Sequence, residues 1–559
     1  MTREDTGRLK PGRLSAVMSA VLSAVMSAVM SAVMSARMIP TCGRLALPLF
    51  RPGPAVVRVL PSVEQSSPGP RKRSRQRPSM KGSPLSAQSI ASRLVIDYRN
   101  ATSAAVGDLH GVSEADLDSV ADRIRSEHER IVGEHAAQVQ RWQDLPDNIE
   151  LADEIAEFAR DARERYDDFI LIGIGGSSLG AIATIQALTH PYRNLLSAGQ
   201  RVGPRFFVLD NPDPEKVRAT LETVDLSKTL VNVVSKSGQT AETAANFLVV
   251  RDAMYAALGA EQARKQIVAT TDPETGLLRQ MADQEGYRTF PVPPGVDGRQ
   301  TVLSAVGLIP AALSGVDIHA LLAGAAAMRE RASSADVREN PAYLLAALSV
   351  LSDQKHGKSM LVTMPYADSM FGIADWFRQL WAESLGKRLS VGGEEVFAGQ
   401  TPIKALGAID QHSQIQLYTE GPNDKLIQLI VVEQYRESVD IPNPPDDIPE
   451  LGYFRGGELG QLLDRERLAT SWALTSAQRP NLTITIPTID AAIVGEFFYL
   501  FQLQTVMAGA LYDVNPFGQP GVEAGKNATY ALMGRSGYED LNGQLLDTAD
   551  DAGSYVNRP

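Results

Sequence analysis

The chain has 559 residues, 44% hydrophobic and 21% charged, with a formal net charge of −12 at pH 7, values that fit a soluble globular protein long enough for more than one core. The charge is uneven: residues 1–79 hold 13 Lys/Arg against 3 Asp/Glu, so 80–559 carries a net of −22, a field that repels polyanions and argues against nucleic acid as a partner. The single cysteine, Cys42, leaves 80–559 without a disulfide, a cysteine nucleophile or a thiolate metal site, and the scattered histidines show no His-x-His or His-Glu-x-x-His pattern, so no metal is expected.

Residues 15–38 read SAVM SAVL SAVM SAVM SAVM SARM, an apolar repeat about long enough to span a bilayer and flanked by Arg8, Lys10, Arg13 and Arg37. Taken literally it is a signal peptide, a membrane anchor or part of a transit segment, and the Pro-, Arg- and Ser-rich stretch after it has too few large apolar side chains to fold. A four-residue repeat serves neither the helical period nor a heptad, whereas a repeated stretch of DNA produces it directly. The reading adopted is translated upstream sequence with the working start at Met80, and no membrane partner.

From about 86 to 165 the pattern is helical, and Ser113 with Asp116 forms the looser Ser-x-x-Asp capping box at the head of the stretch SEADLDSVADRIRSEHERIVGEH. The period then changes. DFILIGIGG, RFFVLDNPDP, TLVNVVSKSG and KQIVATTDPET are short β-branched runs separated by helix-like segments such as AETAANFLVVRDAMYAALG. The theme repeats in KSMLVTMPYAD, the helix FGIADWFRQLWAESLGK, LIQLIVVEQ, NLTITIPTID and a long helix from Ala491 to about Leu511. Alternating strands and helices predict an α/β fold of mostly parallel sheets flanked by helices. The expected organisation is a low-complexity 1–79, a helical segment 80–165, α/β domains at 166–335 and 336–535, and a tail at 536–559.

Such sheets bind ligands where strand ends meet helix N-termini. The run Gly173-Ile174-Gly175-Gly176-Ser177-Ser178-Leu179-Gly180 follows one strand and opens a helix, which suits close approach of an anion to the backbone but equally suits an empty tight turn. Ser235-Lys236-Ser237-Gly238-Gln239-Thr240 joins another strand to a helix; it lacks Walker A spacing and reads as a phosphate cradle or as a helix cap with an incidental lysine. Glu383 lies one helical turn after Gln379, Arg299 sits in GVDGRQTVLSAVGL, His412 in GAIDQHSQIQLY, and Lys526 in NPFGQPGVEAGKNATY, seven residues after Gln519. Taken singly, each of these has an ordinary structural explanation, and residue chemistry alone does not bring them together.

GIGGSSLG, SKSGQT, WFRQLWAESLGK, GAIDQHSQIQLY and NPFGQPGVEAGK together resemble the glucose-6-phosphate isomerase family, in the family's order and with matching internal spacing, over about 90 to 535. The resemblance implies two sugar-isomerase-type (SIS) domains, a cytoplasmic homodimer, a sugar phosphate substrate and no cofactor. It implies that Gly176, Ser177, Ser235, Lys236, Ser237 and Thr240 bind the phosphate and that Gln379 and Gln519 orient the sugar. In the same pattern Glu383 moves a proton between C2 and C1 and Arg299 stabilises the enediolate. Lys526 and His412 assist ring opening, with His412 reaching in from the neighbouring subunit.

These residue types suit the reaction: an unperturbed Glu has a pKa of ~4.3, so it works as a base only where the enediolate is stabilised, as a fixed guanidinium would do. The phosphate loop departs from the family's frequent Thr-rich version by carrying Ser237, which keeps a hydroxyl there, and residues 437–471 carry no readable motif. The alternatives are an isomerase that also accepts mannose 6-phosphate and a non-catalytic sugar-phosphate-binding SIS protein.

Overall fold

The computed structural model of the protein describes residues 92–550. The repeat at 15–38, Cys42, Met80 and the proposed boundary at 79 lie outside the described residues.

Among the described residues, strands run in chain order as β1 (Val95–Asp97), β2 (Asp168–Ile172), β3 (Arg205–Leu209), β4 (Thr229–Val234), β5 (Ile267–Thr271), β6 (Arg288–Pro291), β7 (Met360–Pro365), β8 (Lys387–Leu389), β9 (Glu395–Ala398), β10 (Thr401–Lys404), β11 (Lys425–Val432) and β12 (Asn481–Ile486). The helices that position the site are α1 (Glu114–Ala136), α2 (Leu179–Leu188), α3 (Ala241–Leu258), α4 (Ile318–Arg331), α5 (Pro341–His356), α6 (Phe371–Leu385), α7 (Ala491–Tyr512) and α8 (Glu523–Leu532). The first sheet has the order β3-β2-β4-β5-β6 and is parallel throughout. The second has the order β1-β12-β11-β7-β10, parallel except for β1. Every residue of β2, β4, β5 and β11 is buried, which is why those strands are mostly apolar in the sequence, with only isolated polar residues such as Asn232 and Gln428.

The helical pattern expected over 86–165 is corrected at its start. Val95–Asp97 is a strand, paired antiparallel with Thr483–Thr485 nearly four hundred residues away. Three residues of local sequence cannot announce a partner so distant. β1, β6 and β10 are half-exposed sheet edges of only three or four residues, too short to show the apolar patterning by which the longer strands were legible. The capping box is present as expected: the Ser113 hydroxyl accepts from the Asp116 amide at 3.1 Å and the Asp116 carboxylate accepts from the Ser113 amide at 2.9 Å.

α7 is the core helix, buried along nearly its whole length, and it packs against α4, α5 and α6. It crosses α4 so closely that a Cβ at Gly324 would lie 1.9 Å from the Ala492 carbonyl oxygen, and one at Gly495 1.9 Å from that of Leu321. Glycine on both faces is what allows the two backbones to touch. Among the described residues α7 alone is long and apolar enough to cross a membrane, and it spends that surface inside the protein. Aromatic contacts fix α6 on α7: Trp376 meets Phe498 at 4.7 Å between centroids and Phe377 meets Phe501 at 4.3 Å.

Candidate active site

In the first sheet the strand order reverses between β2 and β4, since β3 lies to one side and β5 and β6 to the other. A cleft forms at such a reversal, above the carboxyl ends of the two strands. The Gly173–Gly180 loop leaves β2 and the Ser235–Thr240 loop leaves β4, so both candidate anion loops share this edge.

Gly176 is a steric requirement: a Cβ there would sit 2.2 Å from the Gly298 carbonyl oxygen and 2.6 Å from the Arg299 amide nitrogen. The loop is therefore pressed directly onto the turn that carries Arg299. In the second loop, Ser235 Oγ accepts from the Gly238 amide (3.0 Å) and Ser237 Oγ from the Gln239 amide (3.2 Å), while Lys236 Nζ donates to the Val296 carbonyl (3.3 Å). Thr240 is the N-cap residue of α3, yet its hydroxyl makes no capping bond. Lys236 and Ser237 are exposed, Ser177 and Thr240 half-buried and Ser235 buried.

The second part of the site is built on α6. Its apolar positions Ile373, Trp376, Phe377, Leu380 and Trp381 face the core at three- and four-residue spacing, which leaves Gln379 and Glu383, one turn apart, on the half-buried rim. Gln379 Nε2 donates to Glu383 Oε2 at 3.2 Å. Arg299 is only 3% exposed, and its guanidinium is nearly fully engaged. Nε donates to Ser384 Oγ (2.8 Å), Nη1 to Gln519 Oε1 (3.2 Å), and Nη2 to the carbonyls of Pro516 (2.7 Å) and Gly518 (3.1 Å). Asp297 lies 3.2 Å from Nη2, and Glu383 Oε2 lies 3.9 Å from Nη1. Burial pushes the Arg299 pKa down while Asp297 and Glu383 oppose the shift; an arginine starts so high that it stays charged. The result is a cation fixed beside a carboxylate, with Gln379 and Gln519 on either side.

Gly175, Leu179, Gln379, Glu383, Gln519 and Val522 line a cleft of about 470 Å³ at this point, a volume suited to a small ligand. A larger, mostly apolar cleft of about 900 Å³ lies between the end of α2 and residues 435–439 and contains none of the predicted site residues. Thus Glu383, Arg299, Gln379, Gln519 and the Gly175–Gly176 turn are brought together. Lys526 and His412 are not joined to them by any hydrogen bond or ion pair among the described residues. Lys526 stands half-exposed on α8 with Nζ 2.8 Å from Glu523 Oε1. His412 is exposed at the end of a short turn, Ile409–His412, that Asp410 fixes by accepting from the Leu406 amide (2.7 Å); its own ring makes no hydrogen bond among the described residues.

Four residues at the centre of this arrangement were not singled out from the sequence: Asp297, Ser384, Lys387 and Gly518. Asp297 and Lys387 stood in plain view, two residues before Arg299 and one helical turn after Glu383, and a charge at that spacing from a candidate base is the signal that would have found them. Among the described residues no group of three or more His, Cys, Asp or Glu side chains is placed to hold a metal ion.

The family model for phosphoglucose isomerase matches residues 115–442. A glucose-6-phosphate isomerase from Carboxydothermus hydrogenoformans is 47% identical over 393 residues, 70% of this chain and 84% of that protein. Another from Rubrobacter xylanophilus is 44% identical over 448 residues, covering 80% of this chain and 99% of its own. Among solved structures, a hypothetical protein from Thermus thermophilus superposes with a TM-score of 0.70 at 36% identity, over 79% of this chain and all of that one. A glucose-6-phosphate isomerase from Chlamydia trachomatis superposes at 0.62 with 26% identity, over 74% and 78% of the two chains.

Proposed function

The chain belongs to the phosphoglucose isomerase family, and we propose that it interconverts glucose 6-phosphate and fructose 6-phosphate by acid–base chemistry on its own side chains. The observation that carries the proposal is the convergence of Glu383, Arg299, Gln379 and Gln519 on one cleft beside the Gly175–Gly176 turn.

In this reading the sugar phosphate enters with its phosphate on the loops that end β2 and β4. Amides around Gly176 and Ser177, the Ser235, Ser237 and Thr240 hydroxyls and the Lys236 ammonium hold it. The Thr240 hydroxyl, unspent on capping, supports that role. The ring opens first, with Lys526 and His412 moving protons between the ring oxygen and the anomeric hydroxyl. Glu383 then takes the proton from C2 to form an enediolate, a proton passes from the C2 hydroxyl to the C1 oxygen, and the same carboxyl returns its proton to C1 as the carbonyl forms at C2; the reverse sequence runs from ketose to aldose. Arg299 meets the enediolate oxygen. Its other N–H groups are tied to Ser384, Pro516 and Gly518, so the guanidinium is already oriented and needs no rearrangement as charge develops. Gln379 and Gln519 hold the chain of the open sugar against Glu383.

His412 serves the site of a second copy in this proposal, which makes the working unit a homodimer. Its exposure, and the absence of any ring hydrogen bond among the described residues of its own chain, support that assignment. Co-refolded Glu383→Gln and His412→Ala chains should regain activity that neither variant has alone, whereas verified subunit exchange without recovery removes the shared site. The proposal also places the protein in the cytoplasm, where its sugar phosphates are, and cell fractionation checks it.

The direct experiment is a coupled assay of the purified full chain with fructose 6-phosphate, following glucose 6-phosphate, alongside the same measurement with mannose 6-phosphate. Rapid turnover of the first pair alone supports the reading. Equal rates on both aldose phosphates make the substrate range broader than stated, and binding without turnover makes the chain a sensor.

A further inference from the structure

Lys387 is charged, only 9% exposed and absent from the mechanism above. It begins β8, whose partner β9 returns antiparallel with Ala398 opposite Lys387, and it stands two residues after the last residue of α6. Its Nζ has three acceptors: the carbonyl oxygens of Glu383 (2.8 Å), Ser384 (2.9 Å) and Gly518 (3.1 Å). An ammonium has three N–H bonds and a neutral amine two, so this set of acceptors is matched by the charged form. Two of the carbonyls belong to the last turn of α6, where oxygens lack helical partners and the helix dipole favours a cation. The third belongs to a segment 131 positions further along the chain.

That segment is held at both ends of one residue. The Gly518 amide donates to Asp297 Oδ2 at 2.8 Å, and the Gly518 carbonyl accepts from both Arg299 and Lys387. Gln519 follows immediately and reaches Arg299 through its side chain. A helix cap alone needs no bond to Gly518, and a loop anchor alone needs none to Glu383 and Ser384. Lys387 makes both.

We propose that Lys387 is a positioning residue for the isomerisation: it fixes the Gly518–Gln519 segment to the end of α6, so that Gln519, Arg299 and Glu383 meet the substrate in one geometry. The proposal rests on the reading of Glu383 as the base. Burial, then the neighbouring Arg299, push the Lys387 pKa down to about 8, against Glu383 and Asp297, which raise it. Asp297 and Arg299 on the preceding turn and Glu383 on α6 are the charged groups that face it; residues 516–519 contribute none. The clamp is thus complete below about pH 8 and loses its charge above it. Stability moves the other way. With the folded pKa below the unfolded value of ~10.4, the unfolded chain binds more protons between the two, so the contribution of Lys387 to stability rises with pH across that window while the clamp is being lost.

The test uses the full chain as wild type, Lys387→Met and Lys387→Arg, with two readouts. Hydrogen exchange of the peptide containing Gly518 reports the clamp whether or not the chain turns over. In Lys387→Met this peptide should exchange at least about tenfold faster (~1.4 kcal/mol) while α7 keeps its protection. On fructose 6-phosphate, kcat should fall about 100-fold, the scale of a small misplacement of catalytic groups, with KM within about threefold because the phosphate loops are untouched. Lys387→Arg, which keeps the charge, should recover part of kcat and move the alkaline fall of wild-type kcat upward from about pH 8. Unchanged exchange at Gly518, unchanged kcat in Lys387→Met, or an alkaline limb identical in wild type and Lys387→Arg would overturn the proposal. If Lys387→Met does not fold, the pH comparison with Lys387→Arg decides. A wild type that binds but does not isomerise the sugar phosphate removes the reading of Glu383, and the exchange result still decides the clamp.

Discussion

The Glu383–Arg299 corner and the Ser235–Thr240 loop are built in opposite ways. In the corner, a guanidinium 3% exposed makes four hydrogen bonds to side chains and carbonyls of two distant segments before any ligand arrives. In the loop, Lys236 and Ser237 stand exposed, and the Thr240 hydroxyl makes no capping bond. In the proposed mechanism the difference follows the charge each part would meet. A phosphate is a dianion from the moment of encounter and can be gathered by donors that shed water as it binds. Enediolate charge exists only fleetingly, so the groups that answer it must be fixed in advance, because reorganising them during the reaction would raise the barrier.

The strongest test of that contrast is Glu383→Gln, which should lower kcat by at least ~10²–10⁴-fold while leaving substrate affinity close to wild type. A binding assay beside the coupled assay reads both, and surviving turnover would take the base away from Glu383. Arg299→Ala should follow with a loss of ~10²–10³ in kcat and a smaller change in KM, since its partner charge belongs to the transition state; a rise in KM at constant kcat would put the corner in the same class as the loop. For the loop itself the opposite signature is expected. Lys236→Ala should raise KM about tenfold with kcat nearly unchanged, the loss of one charge-assisted contact to the phosphate. A fall in kcat of the Arg299 size would erase the distinction. The smallest effect lies away from the cleft: Ser113→Ala should cost about 1 kcal/mol of stability by removing the N-cap of α1, seen as a lower Tm, with kcat and KM unaltered.

How far each part could be foreseen follows the same division. The buried central strands β2, β4, β5, β7, β11 and β12, the helices α3, α6 and α7 and the capping box of α1 were legible because local patterning dictates them: period two or an apolar run for strands, three-to-four spacing for helices, Ser-x-x-Asp for the cap. The edge strand β3 was legible from RFFVL, but β1, β6 and β10, only three or four residues long and half exposed, were not, because so short a segment takes its identity from a partner elsewhere in the chain. Within the site, Glu383 and Gln379 were visibly on one helical face. That Arg299 reaches both Ser384 and the carbonyls of residues 516–518 was not.

The sequence by itself thus determined the alternation of strands and helices, the loops rich in glycine and hydroxyls at the strand ends, and the family resemblance that proposes a role for each residue, since all of these reside in short segments. Only the tertiary structure decided that the Gly176 turn is pressed against Arg299, that Asp297, Lys387 and Gly518 tie the Gln519 segment to the end of α6, and that Lys526 pairs with Glu523 rather than with Glu383. Those contacts join residues as far as 221 positions apart, and the directions in which their side chains point are set by how α4, α6 and α7 pack around the shared core, which no local pattern encodes.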